Sequence, residues 1–155
     1  MKKMICLLLA LLMLLTLTGC GGGDAAPAAS TASLPLADLV KQVMGEEHGL
    51  NALPKSDLED ILGIDPADHT DAVYLQDEMA GRELLMLRAG DEEAAGRIKE
   101  MLTGYLEQRR KETRNYLPEA YKLLENAVVT VKGRTVLLLA DENAATLTTQ
   151  LLAGE

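Results

Sequence analysis

Residues 81–87 read Gly-Arg-Glu-Leu-Leu-Met-Leu, and residues 133–139 read Gly-Arg-Thr-Val-Leu-Leu-Leu. In each stretch a glycine turn leads into four consecutive apolar residues, a pattern typical of a strand buried on both faces. A further strand is predicted before each turn, at residues 72–76 and 127–131. An aspartate that can cap a helix follows each apolar run. The sequence therefore predicts two β-hairpins, each followed by a helix.

Two strands with apolar residues on both faces belong in the centre of a sheet that is covered by helices on both sides. The strands at residues 72–76 and 127–131 are more mixed in polarity and are predicted at the edges. The expected fold is α+β, with a mostly antiparallel sheet of about four strands and helices packed on it. The similarity of the two units fits either an internal duplication or the same order of elements used twice.

Apolar residues repeat at helical spacing in five segments, whose boundaries carry local signals. Ser33 and Pro35 suit the start of the first helix, and Ser56 with Glu59 forms a capping-box pattern at the second. Pro118 suits the first turn of the fourth. The predicted helices span residues 33–46, 56–62, 91–112, 118–124 and 141–152.

The N-terminal segment has the pattern of a secretory signal: Lys2 and Lys3, then an apolar run over residues 4–17. The run is too short for a spanning helix, which needs about 20 apolar residues. Residues 17–20, Leu-Thr-Gly-Cys, resemble the bacterial lipoprotein signal. That resemblance implies a diacylglycerol on Cys20 and cleavage just before it. The alternative is a plain secretory signal with Cys20 free, which the lack of A-x-A-like residues near Gly19 disfavours.

These segments predict a signal peptide at residues 1–19, a lipidated cysteine with a flexible tether at 20–33, and a single α+β domain at 34–155. The tether is rich in Gly, Ala, Pro, Ser and Thr, a composition typical of linkers. Two acyl chains give stable anchoring where one does not. We therefore expect the domain on the extracytoplasmic face of the bacterial cell membrane.

The formal net charge is −9, and it becomes −11 without the two lysines of the signal. An acidic domain is repelled by anionic lipid and by phosphate, so no nucleic-acid partner is expected. The chain has no Trp and no Phe, which disfavours a sugar site built on stacked aromatic rings.

From residue 34 onward the chain resembles a bacterial lipoprotein family known as domain of unknown function 4358. The similar features include the Leu-Pro-Leu entry at 34–36, the strand at 83–88 before a long helix, Asn-Tyr-Leu-Pro-Glu at 115–119, and residues 127–133 before a second apolar strand. The resemblance implies an envelope location and provides no catalytic residues.

The sequence contains no catalytic constellation that we recognise. There is no Gly-x-Ser-x-Gly elbow and no phosphate-binding Gly-x-x-x-x-Gly-Lys, so no enzyme activity and no cofactor are expected. Asp65, Asp68, His69 and Asp71 could supply ligands to calcium. They lack the glycine and distal glutamate of an EF-hand, and a solvated turn is the preferred interpretation, so no metal site is predicted.

Basic residues cluster at the end of the long helix, where cations are favourable. Arg110, Arg114 and Tyr116 are the candidates for a binding surface. For Tyr116 the alternative, which the usual packing of tyrosines favours, is a core residue at the entry to the next helix.

The expected function is that of a non-enzymatic lipoprotein, held at the membrane through diacylglycerol on Cys20, that contacts an envelope protein partner. The alternative is an envelope lipoprotein that binds a small molecule or a metal.

Overall fold

The structure is a computed structural model that describes residues 34–155, so the predicted signal peptide, Cys20 and the tether lie outside the described residues. The elements in chain order are α1 (Leu36–Met44), β1 (Asn51–Ala52), α2 (Ser56–Asp60), a 3-10 turn (Pro66–Asp68), β2 (His69–Asp77), β3 (Arg82–Ala89), α3 (Glu92–Thr113), α4 (Pro118–Glu125), β4 (Val128–Lys132), β5 (Thr135–Ala140) and α5 (Ala144–Ala153).

The strands of the described part form one antiparallel sheet in the order β1-β2-β3-β5-β4. The predicted α+β fold and the two hairpins are confirmed, and β3 and β5 lie together near the centre as expected. β4 lies at an edge, also as expected. The prediction that β2 is an edge strand is wrong for part of the strand, because the two-residue strand β1 pairs with Leu75 and Gln76.

Alternation along the central strands divides the core between the two faces of the sheet. Leu85 and Leu138 lie on one face with α2 and α3, which we call the α3 face. Leu84 and Leu139 lie on the opposite face with α1 and α5, which we call the α5 face. Helices therefore cover both sides of the central strands, as the apolar runs predict.

The starts of the helices differ from the sequence predictions at α1, α2 and α5. The last of these begins at Ala144 after Asn143, so the predicted start and cap at Asp141 are wrong. α1 begins at Leu36 after Pro35, which provides no side-chain cap, and Ser33 lies outside the described residues. The capping box at Ser56 is wrong: Ser56 is the first helical residue, and the hydroxyl contacts Asp57 rather than a backbone amide. The predicted cap at Asp91 is confirmed, because its carboxylate accepts a hydrogen bond of 2.7 Å from the Ala94 amide.

The two hairpin–helix units share an order of elements but do not superpose as units. Their hairpins lie side by side through β3 and β5, yet α3 covers one face of the sheet and α5 covers the other. A rotation that brings one hairpin onto the other keeps the faces of the sheet, so it leaves the two helices on opposite sides. The arrangement favours a repeated order of elements over a simple duplication.

Two arginines of β3 tie the α5 face to distant parts of the chain. Arg82 donates from Nε and Nη2 to Asp141 at 3.0 and 2.8 Å. Arg88 donates from Nε to Glu155 at 2.9 Å and from Nη2 to the Leu34 carbonyl at 2.7 Å. These contacts join the central strand to both ends of the described domain.

The hairpin between β2 and β3 packs closely on α4 at a glycine. Gly81 has φ +73°, and a Cβ atom there would lie 2.5 Å from the Cβ of Ala120. A side chain at this position would therefore clash as well as strain the backbone. None of the helices in residues 34–155 combines the length and apolarity that a bilayer crossing needs.

Candidate functional site

A polar cleft of about 310 Å³ opens on the α3 face, between β2 and the C-terminal half of α3. One wall comes from side chains of β2 and the turn after it, and the other comes from successive turns of α3. The lining residues are Ile61, Tyr74, Gln76, Glu78, Tyr105, Gln108, Arg109 and Glu112.

A buried carboxylate lies beneath the two tyrosines of this cleft. Glu83 is 1% exposed. By strand alternation its side chain lies on the α3 face of the sheet, where the other β3 side chains are apolar. The hydroxyls of Tyr74 and Tyr105 both donate to Oε1 of Glu83, at 2.7 and 3.0 Å. Oε2 is buried and has no hydrogen-bond partner within the described residues. The carboxyl group is therefore only half satisfied, which is uncommon in native structures.

Burial dominates the proton equilibria of this cluster. It raises the pKa of Glu83, while the hydrogen bonds from Tyr74 and Tyr105 and the positive charge of Arg109 oppose that rise. Burial and the negative charge of Glu83 raise the pKa of Tyr74, and they raise the pKa of Tyr105 to about 12. Both phenols are therefore protonated donors at neutral pH.

Arg109 forms the basic part of the cleft wall. Its side chain is only 15% exposed, and Nε is buried with no hydrogen-bond partner among residues 34–155. Within that range, the one carboxylate in salt-bridge reach belongs to Glu78, at 4.0 Å from Nη1, and Glu78 is 74% exposed. The guanidinium group therefore has N–H donors without partners in a partly buried site.

Three exposed apolar side chains either line the cleft or lie close along the chain to residues that line it. Ile61 lines it and is 58% exposed. Met79 follows the lining residue Glu78 and is 75% exposed, and Tyr116 follows the lining residue Glu112 by four positions and is 84% exposed. We call Ile61, Met79 and Tyr116 the apolar rim.

The structure separates the three predicted surface residues. Arg110 donates from Nε to the Leu124 carbonyl at 2.7 Å and from Nη2 to Glu125, so it joins α3 to the C-terminal end of α4. Arg114 and Tyr116 are exposed after the end of α3. The core interpretation of Tyr116 is wrong, because the ring lies in solvent.

The carboxylate oxygens of the acidic turn near Asp65 contact other groups of the protein. Asp65 accepts from the Ala67 amide at 2.8 Å, as the turn interpretation predicts. Asp68 pairs with Arg97 at 2.7 Å, and Asp71 accepts from the Leu36 amide at 2.8 Å. Among the described residues, no three His, Cys, Asp or Glu side chains converge in a way that could hold a metal ion.

Sequence reasoning missed the cleft, although three signals point to it. Glu83 precedes an apolar run and shares strand parity with Leu85, so alternation alone places it on the covered face. Tyr105 belongs to the predicted apolar stripe of the long helix, and Arg109 lies one turn further along the same face. Only the meeting of β2, β3 and α3 could not be inferred.

The comparisons with known proteins concern most of this domain. The model of the family Domain of unknown function (DUF4358) matches residues 44–141, well over half of the chain, and this range contains every residue of the cleft. The Leu-Pro-Leu entry at 34–36 and α5 lie outside the match. No curated protein and no solved structure matches the chain. The chain belongs to the DUF4358 family.

Proposed function

We propose that this protein is a lipid-anchored, extracytoplasmic binding protein that contacts an envelope protein partner through the cleft and its apolar rim, without catalysis. The observation that carries the proposal is the rim itself. Isolated exposed apolar residues are ordinary, whereas Ile61 lines the cleft and Met79 and Tyr116 lie within four positions of residues that line it. Tyrosine and methionine are enriched in protein interfaces, where they supply contact area to a partner.

The chemistry of the cleft supports binding rather than turnover. Its lining holds tyrosines, amides, carboxylates and one arginine, with no serine, cysteine or histidine among them. The carboxyl group of Glu83 is held by two phenols that are themselves poor acids. A set of polar groups in fixed positions without a nucleophile and base pair suits recognition.

The anchor is proposed from the lipoprotein-like signal at residues 17–20. A tether to the bilayer raises the local concentration of the domain, so that a weak interface suffices for function. Replacement Cys20→Ala should abolish labelling by a fatty-acid analogue and move the protein out of the membrane fraction. Unchanged labelling and fractionation would contradict the lipoprotein assignment.

Site-specific crosslinking in cells tests the partner surface. A photoreactive residue would replace Met79 or Tyr116 in turn, and exposed Gln150 on α5 provides the matched control on the opposite face. We expect the same partner to crosslink from positions 79 and 116, with weaker capture when Cys20→Ala is added. Equal capture from position 150, or none from either rim position, would contradict the proposal.

A small molecule is the second candidate for the occupant of the cleft. The volume of about 310 Å³ lies at the lower end of the range for ligand sites, roughly 300–1,000 Å³. Competition between a ligand in the cleft and crosslinking at Met79 would show whether both occupy the same place.

A further inference from the structure

Arg109 is the most under-paired charged group of the cleft. Buried or half-buried charges in proteins are normally matched by a close counter-ion with several hydrogen bonds. Arg109 instead has a distant contact to an exposed glutamate and a buried Nε with no partner in the described part of the chain. We propose that Arg109 is the receptor of the cleft for a carboxylate group, carried by the partner or by a free organic acid.

This inference deepens the proposed function, because it names the chemical group that the same cleft recognises. A carboxylate can accept two parallel hydrogen bonds from the planar guanidinium group, here from Nη1 and Nη2, which unlike Nε are not buried. Glu78 makes no such contact, since 4.0 Å is too long for a hydrogen bond. A ligand carboxylate at hydrogen-bond distance would replace Glu78 as the counter-ion and accept from the guanidinium N–H groups that have no partner.

An amide of the lining can add a hydrogen bond to a carboxylate held by Arg109. Gln76 and Gln108 line the cleft with amide groups, and Tyr74 and Tyr105 line it with hydroxyls. Gln108 is committed to Glu112 at 2.8 Å, and each phenol donates its one proton to Glu83. Gln76 is therefore the neutral donor of the lining that remains, and it adds a hydrogen bond without adding charge.

The charge of the lining selects a monoanion over a dianion. One arginine faces the cleft, while Glu78 and Glu112 also line it. A phosphate ester carries close to two negative charges at pH 7 and would meet two carboxylates with a single cation to offset them. A carboxylate carries one charge, which Arg109 alone can match.

The buried carboxyl beneath the phenols links this binding to protons. The groups that face Glu83 are Tyr74 and Gln76 from β2 and Tyr105 and Arg109 from α3. An incoming anion favours the neutral form of Glu83, so binding should take up a proton and strengthen as the pH falls. Replacement Glu83→Gln fixes the neutral form and should flatten that dependence.

The Nε–H signal of Arg109 in a proton–nitrogen NMR spectrum of the full chain gives a direct readout. N-acetylglycine is the carboxylate probe, and N-acetylglycinamide at equal ionic strength is the uncharged control. We expect a saturable shift of this signal with the acid and none with the amide. A tetrapeptide with a free C-terminus, compared with the amidated peptide, distinguishes a partner's carboxylate from a free acid by binding more tightly than N-acetylglycine.

Variants of two arginines on the same helix separate the site from general charge. Arg109→Gln should weaken binding of the acid by about tenfold or more, since a charge-assisted bidentate contact is lost. Arg97→Gln is the matched control, because Arg97 is already paired with Asp68 and Glu93. Glu78→Gln removes the competing anion and should tighten binding by roughly two- to fivefold.

Several outcomes overturn the inference. They are the absence of a saturable shift, an equal shift with the amide, and unchanged affinity in both Arg109→Gln and Arg109→Lys. The failure of the proposed function looks different. If the acid binds through Arg109 but positions 79 and 116 capture no partner, the partner proposal fails alone. If positions 79 and 116 capture a partner but N-acetylglycine and the free-acid tetrapeptide do not bind through Arg109, the carboxylate inference fails alone.

Discussion

The two faces of the sheet differ in whether their buried charged groups have partners. On the α5 face, Arg82 and Arg88 each meet a buried carboxylate at hydrogen-bond distance. On the α3 face, Glu83 and Arg109 each keep a buried polar atom without a partner in the described chain. The paired charges hold the domain together, whereas the unpaired ones lie at a cleft.

This difference identifies a candidate site from the chemistry of its side chains. Buried polar groups that lack a hydrogen-bond partner destabilise the folded state. Their presence therefore indicates a functional role rather than a structural one. Four predictions test this contrast between the faces.

The largest effect is expected from Arg88→Met, which breaks the paired face. The substitution keeps most of the aliphatic volume and leaves Glu155 and Asp71 without their cation. We expect a loss of about 3 kcal/mol in the free energy of unfolding, measured by urea titration. A loss below about 1 kcal/mol would show that the network contributes no more than exposed pairs do.

A smaller loss is expected when the hydroxyls above Glu83 are removed. Tyr74→Phe takes away the 2.7 Å hydrogen bond and should cost about 1–2 kcal/mol of unfolding free energy. Tyr105→Phe removes the 3.0 Å bond and should cost about 1 kcal/mol. Equal unfolding curves for wild type and Tyr74→Phe would contradict the view that these phenols stabilise the carboxyl group.

The two faces should respond to pH in opposite directions. Burial raises the pKa of Glu83 above its ordinary 4.5, so its contribution to stability is present below that value and is lost as the pH rises through the folded pKa. Arg88 lowers the pKa of Glu155 below 4.5, so that contribution is present above 4.5 and is lost as the pH falls through the folded pKa.

Urea unfolding between about pH 3 and pH 8 tests both signs. Glu83→Gln should remove a decline of stability toward higher pH, and Glu155→Gln should remove a decline toward lower pH. The same slope change in both variants would contradict the assignment of opposite pKa shifts.

The smallest effect is expected at an exposed ion pair. Arg97 contacts Asp68 and Glu93 at the surface of α3. Exposed pairs contribute little, so Arg97→Gln should leave the urea midpoint unchanged within error. A shift as large as that of Arg88→Met would remove the distinction between paired core charges and surface charges.

Much of the fold could be predicted because the signals are local. The apolar runs at 84–87 and 136–139 indicate central strands, and Asp91 indicates the start of α3. Strand β1 could not be predicted, because two exposed residues carry no pattern and depend on the edge of β2. The capping box at Ser56 failed because the helix starts with Lys55 already in helical conformation.

The site was harder to predict because it depends on contacts between distant segments. Glu83 meets Tyr105 from a helix 22 residues further along the chain. Arg109 lies in a run of basic residues that a helix C-terminus explains equally well, so sequence alone gives no reason to separate it from Arg110. In the folded protein Arg109 lines the cleft, whereas Arg110 contacts α4.

If the domain is held by its N-terminal end, as proposed, the contact from Arg88 to the Leu34 carbonyl has a mechanical consequence. Tension that enters at Leu34 is passed to β3, in the middle of the sheet, while the Leu36 amide holds Asp71 on the neighbouring strand. The pull is therefore carried across the sheet, and the first helix is not unwound turn by turn. A protein under drag from a large partner would keep its cleft intact under such a load.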